Sequence, residues 1–157
     1  MSPMTYCIDT SSLIAAWQER YPIDNFPSFW TKMDILIAEQ RLLAPIDVLH
    51  ETKKRSDELY TWLKERKFMF HELNEEIQIE AAQVLARFPR LVGEKKLRTS
   101  ADPFVIAMAR VEGLQLVTDE KPSGSLLRPH IPDVCVELNM TTIGLLQLIQ
   151  TEKWVVG

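Results

Sequence analysis

The chain has 157 residues, of which 46% are hydrophobic and 25% charged, a balance that supports one globular domain over residues 1–157 and excludes a disordered or fibrous chain. Its net charge of −4 excludes a protein that coats nucleic acid through bulk positive charge, but not an enzyme that acts on nucleic acid through a local site. No apolar run reaches the length of a membrane span and the N-terminus lacks a basic-then-apolar leader, so no membrane contact and a cytoplasmic location are expected.

The first predicted element is a short strand, Tyr6-Cys7-Ile8, closed by Asp9 and followed by Thr10-Ser11-Ser12, a polar step into a helix that begins near Ser12. A loop with Tyr21-Pro22 and Phe26-Pro27 leads to a second helix, for which Ser28 is the candidate cap and Trp30, Met33 and Ile37 recur at helical spacing. Arg41-Leu42-Leu43-Ala44 reads as a buried strand ended by Pro45, and a helix follows to about Lys54. Val48 and Glu51 lie three apart in it, which puts a carboxylate on the apolar side, a costly position unless something pairs with it. Helix is expected to continue over 57–67, followed by a brief extended piece at Phe68-Met69-Phe70.

Asn74 caps an amphipathic helix whose stripe is Ile77, Ala81, Val84, Leu85 and Phe88, and Pro89 stops it. Residues 90–100 read as an exposed polar loop. Asp102-Pro103 opens a helix that is apolar nearly all round and ends near Gly113, so it should be buried against a sheet. A strand then runs from Leu114 to Thr118 and closes at Asp119. After a loop of Pro, Ser and Gly, a last strand is expected near Val134-Cys135-Val136, with a C-terminal helix beginning after Thr141 or Thr142. Cys7 and Cys135, both in apolar surroundings, suit buried reduced thiols. The alternation of strands and helices predicts an α/β fold, a mainly parallel sheet of four or five strands between two helical layers.

Asp9, Glu51, Asp102 and Asp119 each stand where a strand or helix meets a loop or leaves an apolar face. Parallel α/β sheets build their sites beyond the carboxyl ends of their strands. Hard oxygen ligands select magnesium or manganese, and clustered carboxylates repel one another unless a cation joins them. Each acid also has an ordinary structural reading: Asp9 and Asp119 as turn residues, Asp102 before Pro103 as a helix cap, and Glu51 in a salt bridge. His50 reads as a helix-surface residue. Lys53-Lys54-Arg55, Lys64-Glu65-Arg66-Lys67 and Lys95-Lys96-Leu97-Arg98 offer phosphate contacts or, singly, solvated faces.

Tyr6-Cys7-Ile8-Asp9-Thr10-Ser11, Val48-Leu49-His50-Glu51, the run from Ser100 to Ala109 headed by Asp102-Pro103, and Leu116-Val117-Thr118-Asp119 together resemble the PIN domain nucleases, which include the toxins of bacterial toxin–antitoxin pairs. The resemblance spans most of the chain. It implies an α/β/α sandwich and an endoribonuclease that hydrolyses RNA with Mg2+ or Mn2+. It also implies Asp9, Glu51, Asp102 and Asp119 as catalytic acids, with Asp9, Asp102 and Asp119 on the metal, and Ser11 and Thr118 in support. The chain departs from the shorter toxin pattern after Asp119, which leaves Glu120 as a substitute ligand beside Glu51. An antitoxin protein is the partner so implied. The aromatic segment from Tyr21 to Trp30 marks a candidate protein contact, a homodimer included, with a local satellite core as the other reading. The alternative function is a catalytically silent binding module that docks a partner on Phe26, Phe29 and Trp30.

Overall fold

A computed structural model describes residues 3–91 and 100–157. The strands are β1 (Tyr6–Ile8), β2 (Leu42–Pro45), β3 (Phe70–His71), β4 (Gln115–Val117) and β5 (Thr142–Ile143). The α-helices among the described residues are α1 (Thr10–Ala15), α2 (Pro27–Ala38), α3 (Ile46–Arg55), α4 (Asp57–Lys64), α5 (Glu75–Arg87), α6 (Asp102–Glu112), α7 (Ile131–Glu137) and α8 (Leu145–Glu152). A π-helical segment, Ala16–Arg20, continues α1, and a 3-10 turn, Lys67–Met69, precedes β3.

All strand pairings are parallel and give one five-stranded sheet in the order β3-β2-β1-β4-β5. β1 is central: Tyr6 lies opposite both Leu42 and Gln115, and Ile8 opposite Val117. Its three side chains are fully buried, as expected of a strand covered on both faces. The chain moves outward from β1 through β2 to β3, then returns to the other side of β1 as β4. The switch point of the sheet therefore lies between β1 and β4, where α/β folds place their ligands. Helices cover the sheet in an α/β/α arrangement.

α6 is the helix most completely enclosed, with Val105, Ile106, Ala107, Met108 and Ala109 all buried. It packs on β1, β2 and β4 and against α5, and the Cys7 thiol meets the Val105 carbonyl at 3.7 Å. Gly113 ends it in the left-handed conformation that favours glycine, at φ 67°. Burial raises the Cys7 thiol far above its ordinary pKa and pushes Cys135 up to about 12, so both are inert apolar groups. At the amino edge of the sheet the Tyr6 hydroxyl and Arg41 both donate to Glu152, at 2.5 and 2.6 Å, and tie the end of α8 to β1 and β2.

Several expectations are corrected. Val134-Cys135-Val136 belongs to α7, not a strand: Ile131, Val134, Cys135 and Leu138 form a buried stripe at helical spacing while Val136 is 71% exposed. The last strand is instead Thr142–Ile143. α2 starts at Pro27 with Phe26 in the cap position, and Ser28 donates its hydroxyl to the Val156 carbonyl. Helix stops at Lys64, short of 67, and Phe68-Met69 fall in the 3-10 turn. The expected loop over 90–100 and the run Lys95-Lys96-Leu97-Arg98 lie almost wholly outside the described residues.

The aromatic segment from Tyr21 to Trp30 is internal packing. Phe29 is fully buried and Trp30 nearly so. Tyr21 stacks on Phe29 with centroids 4.4 Å apart, and Trp30 meets Trp17 and Trp62 edge-on at 4.9 and 5.0 Å. The Trp30 indole donates to the Tyr21 carbonyl at 2.6 Å. This is the satellite-core reading, and it removes Phe29 and Trp30 from any docking surface.

Candidate active site at the sheet switch point

Asp9 follows β1 directly and caps α1, its Oδ1 accepting the Ser12 N–H at 2.9 Å. Its Oδ2 accepts the hydroxyl of Thr118, the residue after β4, at 2.6 Å. The two strands that flank the switch point are thus joined by a carboxylate and a hydroxyl just beyond their carboxyl ends. Asp9 is fully buried and has no cationic partner among the described residues. Burial pushes its carboxyl up to about 6, against the lowering effect of the Ser12 and Thr118 hydrogen bonds, and the negative charge of Glu120 adds to the rise.

Glu51 projects from α3 toward the same edge, where the Thr10 hydroxyl donates to its Oε1 at 2.6 Å. Thr10 is the residue next to Asp9, so this bond brings α3 to the start of α1. The cost of a carboxylate on that side of α3 is met by this hydroxyl; no salt bridge to Glu51 is present among the described residues.

Asp102 is the first residue of α6, with its backbone N–H on the Ser100 hydroxyl at 3.2 Å. The cap position belongs to Ala101 and carries no side-chain cap bond, so Asp102 is not the helix cap that Asp-Pro suggests. α6 leads into β4 and runs back along the sheet, which sets its N-terminus at the carboxyl edge of the strands.

Asp119 is held from three sides. Its N–H donates to the Ser12 hydroxyl at 2.8 Å, and its Oδ1 accepts the Leu145 N–H at 2.7 Å, at the N-terminus of α8 where a negative charge is favoured. Its Oδ2 lies 3.1 Å from Arg20 Nε, yet this buried oxygen receives no aligned hydrogen bond: the contact is ionic. Gly144 makes the approach possible, since a Cβ there would stand 2.7 Å from Asp119 Oδ1. Glu120 follows, its N–H donating to the Thr118 hydroxyl at 3.1 Å and its carboxylate 3.8 Å from His130. Asp133 accepts hydrogen bonds from Ser123, Gly124 and His130, which orders the loop after Glu120 and draws the Asp133 carboxyl below its ordinary range.

The hydroxyl support expected of Ser11 comes from its neighbours: Thr10 serves Glu51 and Ser12 serves Asp119, while the Ser11 hydroxyl makes no hydrogen bond among the described residues. Thr10, Ser12 and Arg20 contact these acids and were not among the residues expected from the sequence. A polar Thr-Ser-Ser step between apolar segments signals hydroxyls, but which of them turns inward depends on helix phase. His50 is exposed, as expected of a helix-surface residue. Within the basic runs, Arg66 is committed to packing, with its guanidinium 3.7 Å from the Trp62 ring and two bonds to Asp34.

The donor set for a metal consists of carboxylates and hydroxyls, which suits magnesium or manganese. Among the described residues no three acidic, histidine or cysteine side chains close on one point as a metal cage. Magnesium does not need one, because it usually keeps several waters and takes one or two protein carboxylates. The buried carboxylate of Asp9 fits that demand.

A parallel α/β/α domain with carboxylates at its switch point is the class these features define. Residues 6–156 match the family model described as "Domain of unknown function (DUF4411)", and the chain belongs to that family. No curated protein sequence matches it. Among solved structures it is similar to VapBC2 from Rickettsia felis bound to a DNA fragment from their promoter, with 15% identity, a TM-score of 0.47, and coverage of 74% of this chain and 88% of that one.

Proposed function

We propose that this protein is a magnesium- or manganese-dependent endoribonuclease that hydrolyses RNA phosphodiester bonds at the β1–β4 switch point. The observation that carries the reading is the buried Asp9, joined to Thr118 across the switch point, with no cation among the described residues to offset its charge. Asp9 and Glu120 are the proposed metal ligands, with Glu51 and Asp102 as further acids at the same edge. A bound divalent ion supplies Lewis-acid polarisation of the phosphodiester and an activated water. Thr118 holds the Asp9 carboxylate in place, and Thr10 does the same for Glu51. Asp119, occupied with Leu145 and Arg20, acts as the clamp that fixes the start of the Glu120 loop.

The resemblance to PIN nucleases supports a toxin role in the cytoplasm, with an antitoxin protein as partner and a second copy of the chain as a further one. Incubation of the purified protein with single-stranded RNA in magnesium and in EDTA tests the activity. Cleavage confined to magnesium is expected; cleavage in neither condition, together with no magnesium-induced rise in melting temperature, turns the reading to a silent binding module.

A further inference from the structure

We infer that Arg20 grips a backbone phosphate of the nucleic-acid strand entering this site; the inference rests on the proposed function and assigns the substrate contact. The π-helical segment Ala16–Arg20, closed by the Tyr21 N–H on the Ala16 carbonyl at 2.8 Å, ends at Arg20 and delivers its side chain to Asp119. The pair is unequal: the Arg20 side chain is 52% exposed, whereas that of Asp119 is 14% exposed and fixed by Ser12 and Leu145. The Nε end of the guanidinium therefore rests on a rigid, buried anchor. Its Nη groups donate no hydrogen bond among the described residues, and half of the side chain is open to solvent. A planar guanidinium fork held at its Nε end and half-exposed beside an acidic edge suits a pair of phosphate oxygens. As a half-exposed ion pair, the Arg20–Asp119 contact contributes little to stability, so removing it should leave the fold intact.

The test is fluorescence anisotropy of labelled single-stranded RNA and DNA of one sequence with the full chain in EDTA, over a range of potassium chloride concentrations. Each phosphate contact on a single strand contributes about 0.7 to the slope of log affinity against log salt. Arg20→Gln should lower that slope by about 0.7 on both strands while the protein still unfolds cooperatively, with at most a few degrees lost in melting temperature, and Arg20→Lys should keep the slope. An unchanged slope in Arg20→Gln, or no binding of either strand by the wild type, overturns the inference. Magnesium-dependent cleavage by the wild type alongside an unchanged slope sinks the Arg20 role alone and leaves the nuclease reading standing.

Discussion

Thr118 donates its hydroxyl to Asp9 across 2.6 Å, and the bond joins the carboxyl ends of two neighbouring parallel strands. Thr118→Val keeps the shape and removes the donor. The buried carboxylate then loses a hydrogen bond without gaining water, at a cost of about 1–3 kcal/mol. Because the lost bond favoured the charged form, the destabilisation should be larger at pH 7 than at pH 5, and Thr118→Ser should largely restore stability. Equal losses at both pH values in thermal denaturation would mean that Asp9 does not change its charge between them, against a carboxyl raised to about 6.

Asp9 itself titrates in an unusual direction. Its carboxyl is raised from 3.8 to about 6 by burial, so the folded state holds this proton more tightly than the unfolded chain. Its contribution to stability is present below pH 3.8 and is lost as pH rises through 6, an effect of roughly 3 kcal/mol. Asp9→Asn removes that titration. The melting-temperature difference in favour of the variant should therefore grow from pH 4 to pH 7 and then level off. Magnesium should narrow it at pH 7 by stabilising the wild type alone; a difference that shrinks as pH rises contradicts the burial argument.

Gly144 is required by contact and not by dihedral angle, since its backbone is extended at φ −89°. Gly144→Ala would put a Cβ 2.7 Å from Asp119 Oδ1, forcing Asp119 off the N-terminus of α8. Overpacking of this kind costs about 1–3 kcal/mol. Chemical denaturation should show the loss, and Gly144→Ala combined with Asp119→Ala should recover part of it. A double variant no more stable than the single one would place the strain elsewhere.

The central strands were legible because each is a short apolar run bounded by polar or turn residues: Tyr6–Ile8, Leu42–Pro45 and Gln115–Val117. Asn74, expected as a cap, accepts the Ile77 N–H at 2.9 Å. Val134-Cys135-Val136 misled because three apolar residues fit a strand and one buried helical turn equally well; the wider stripe from Ile131 to Leu138 decides it. β5, two residues long, is too short to carry a period. At the site, the order of the acids was readable but their partners were not. Asp119 turns toward Leu145, twenty-six positions away, and Arg20 reaches Asp119 through a π-helical turn that no side-chain pattern announces. The Thr10–Glu51 pairing likewise depends on how α1 and α3 sit against each other.

Single-turnover cleavage of single-stranded RNA across a magnesium titration, by wild type, Asp119→Asn and Glu120→Gln, tests the assignment of the acidic site most directly. Glu120→Gln should need far more magnesium and cleave far more slowly, because it removes a proposed ligand beside Asp9. Asp119→Asn should keep the wild-type magnesium dependence with a modest loss of rate, because its loss loosens the clamp without touching the metal. Wild-type cleavage by Glu120→Gln at limiting magnesium, with cleavage abolished in Asp119→Asn, would contradict the account and return the ligand role to Asp119.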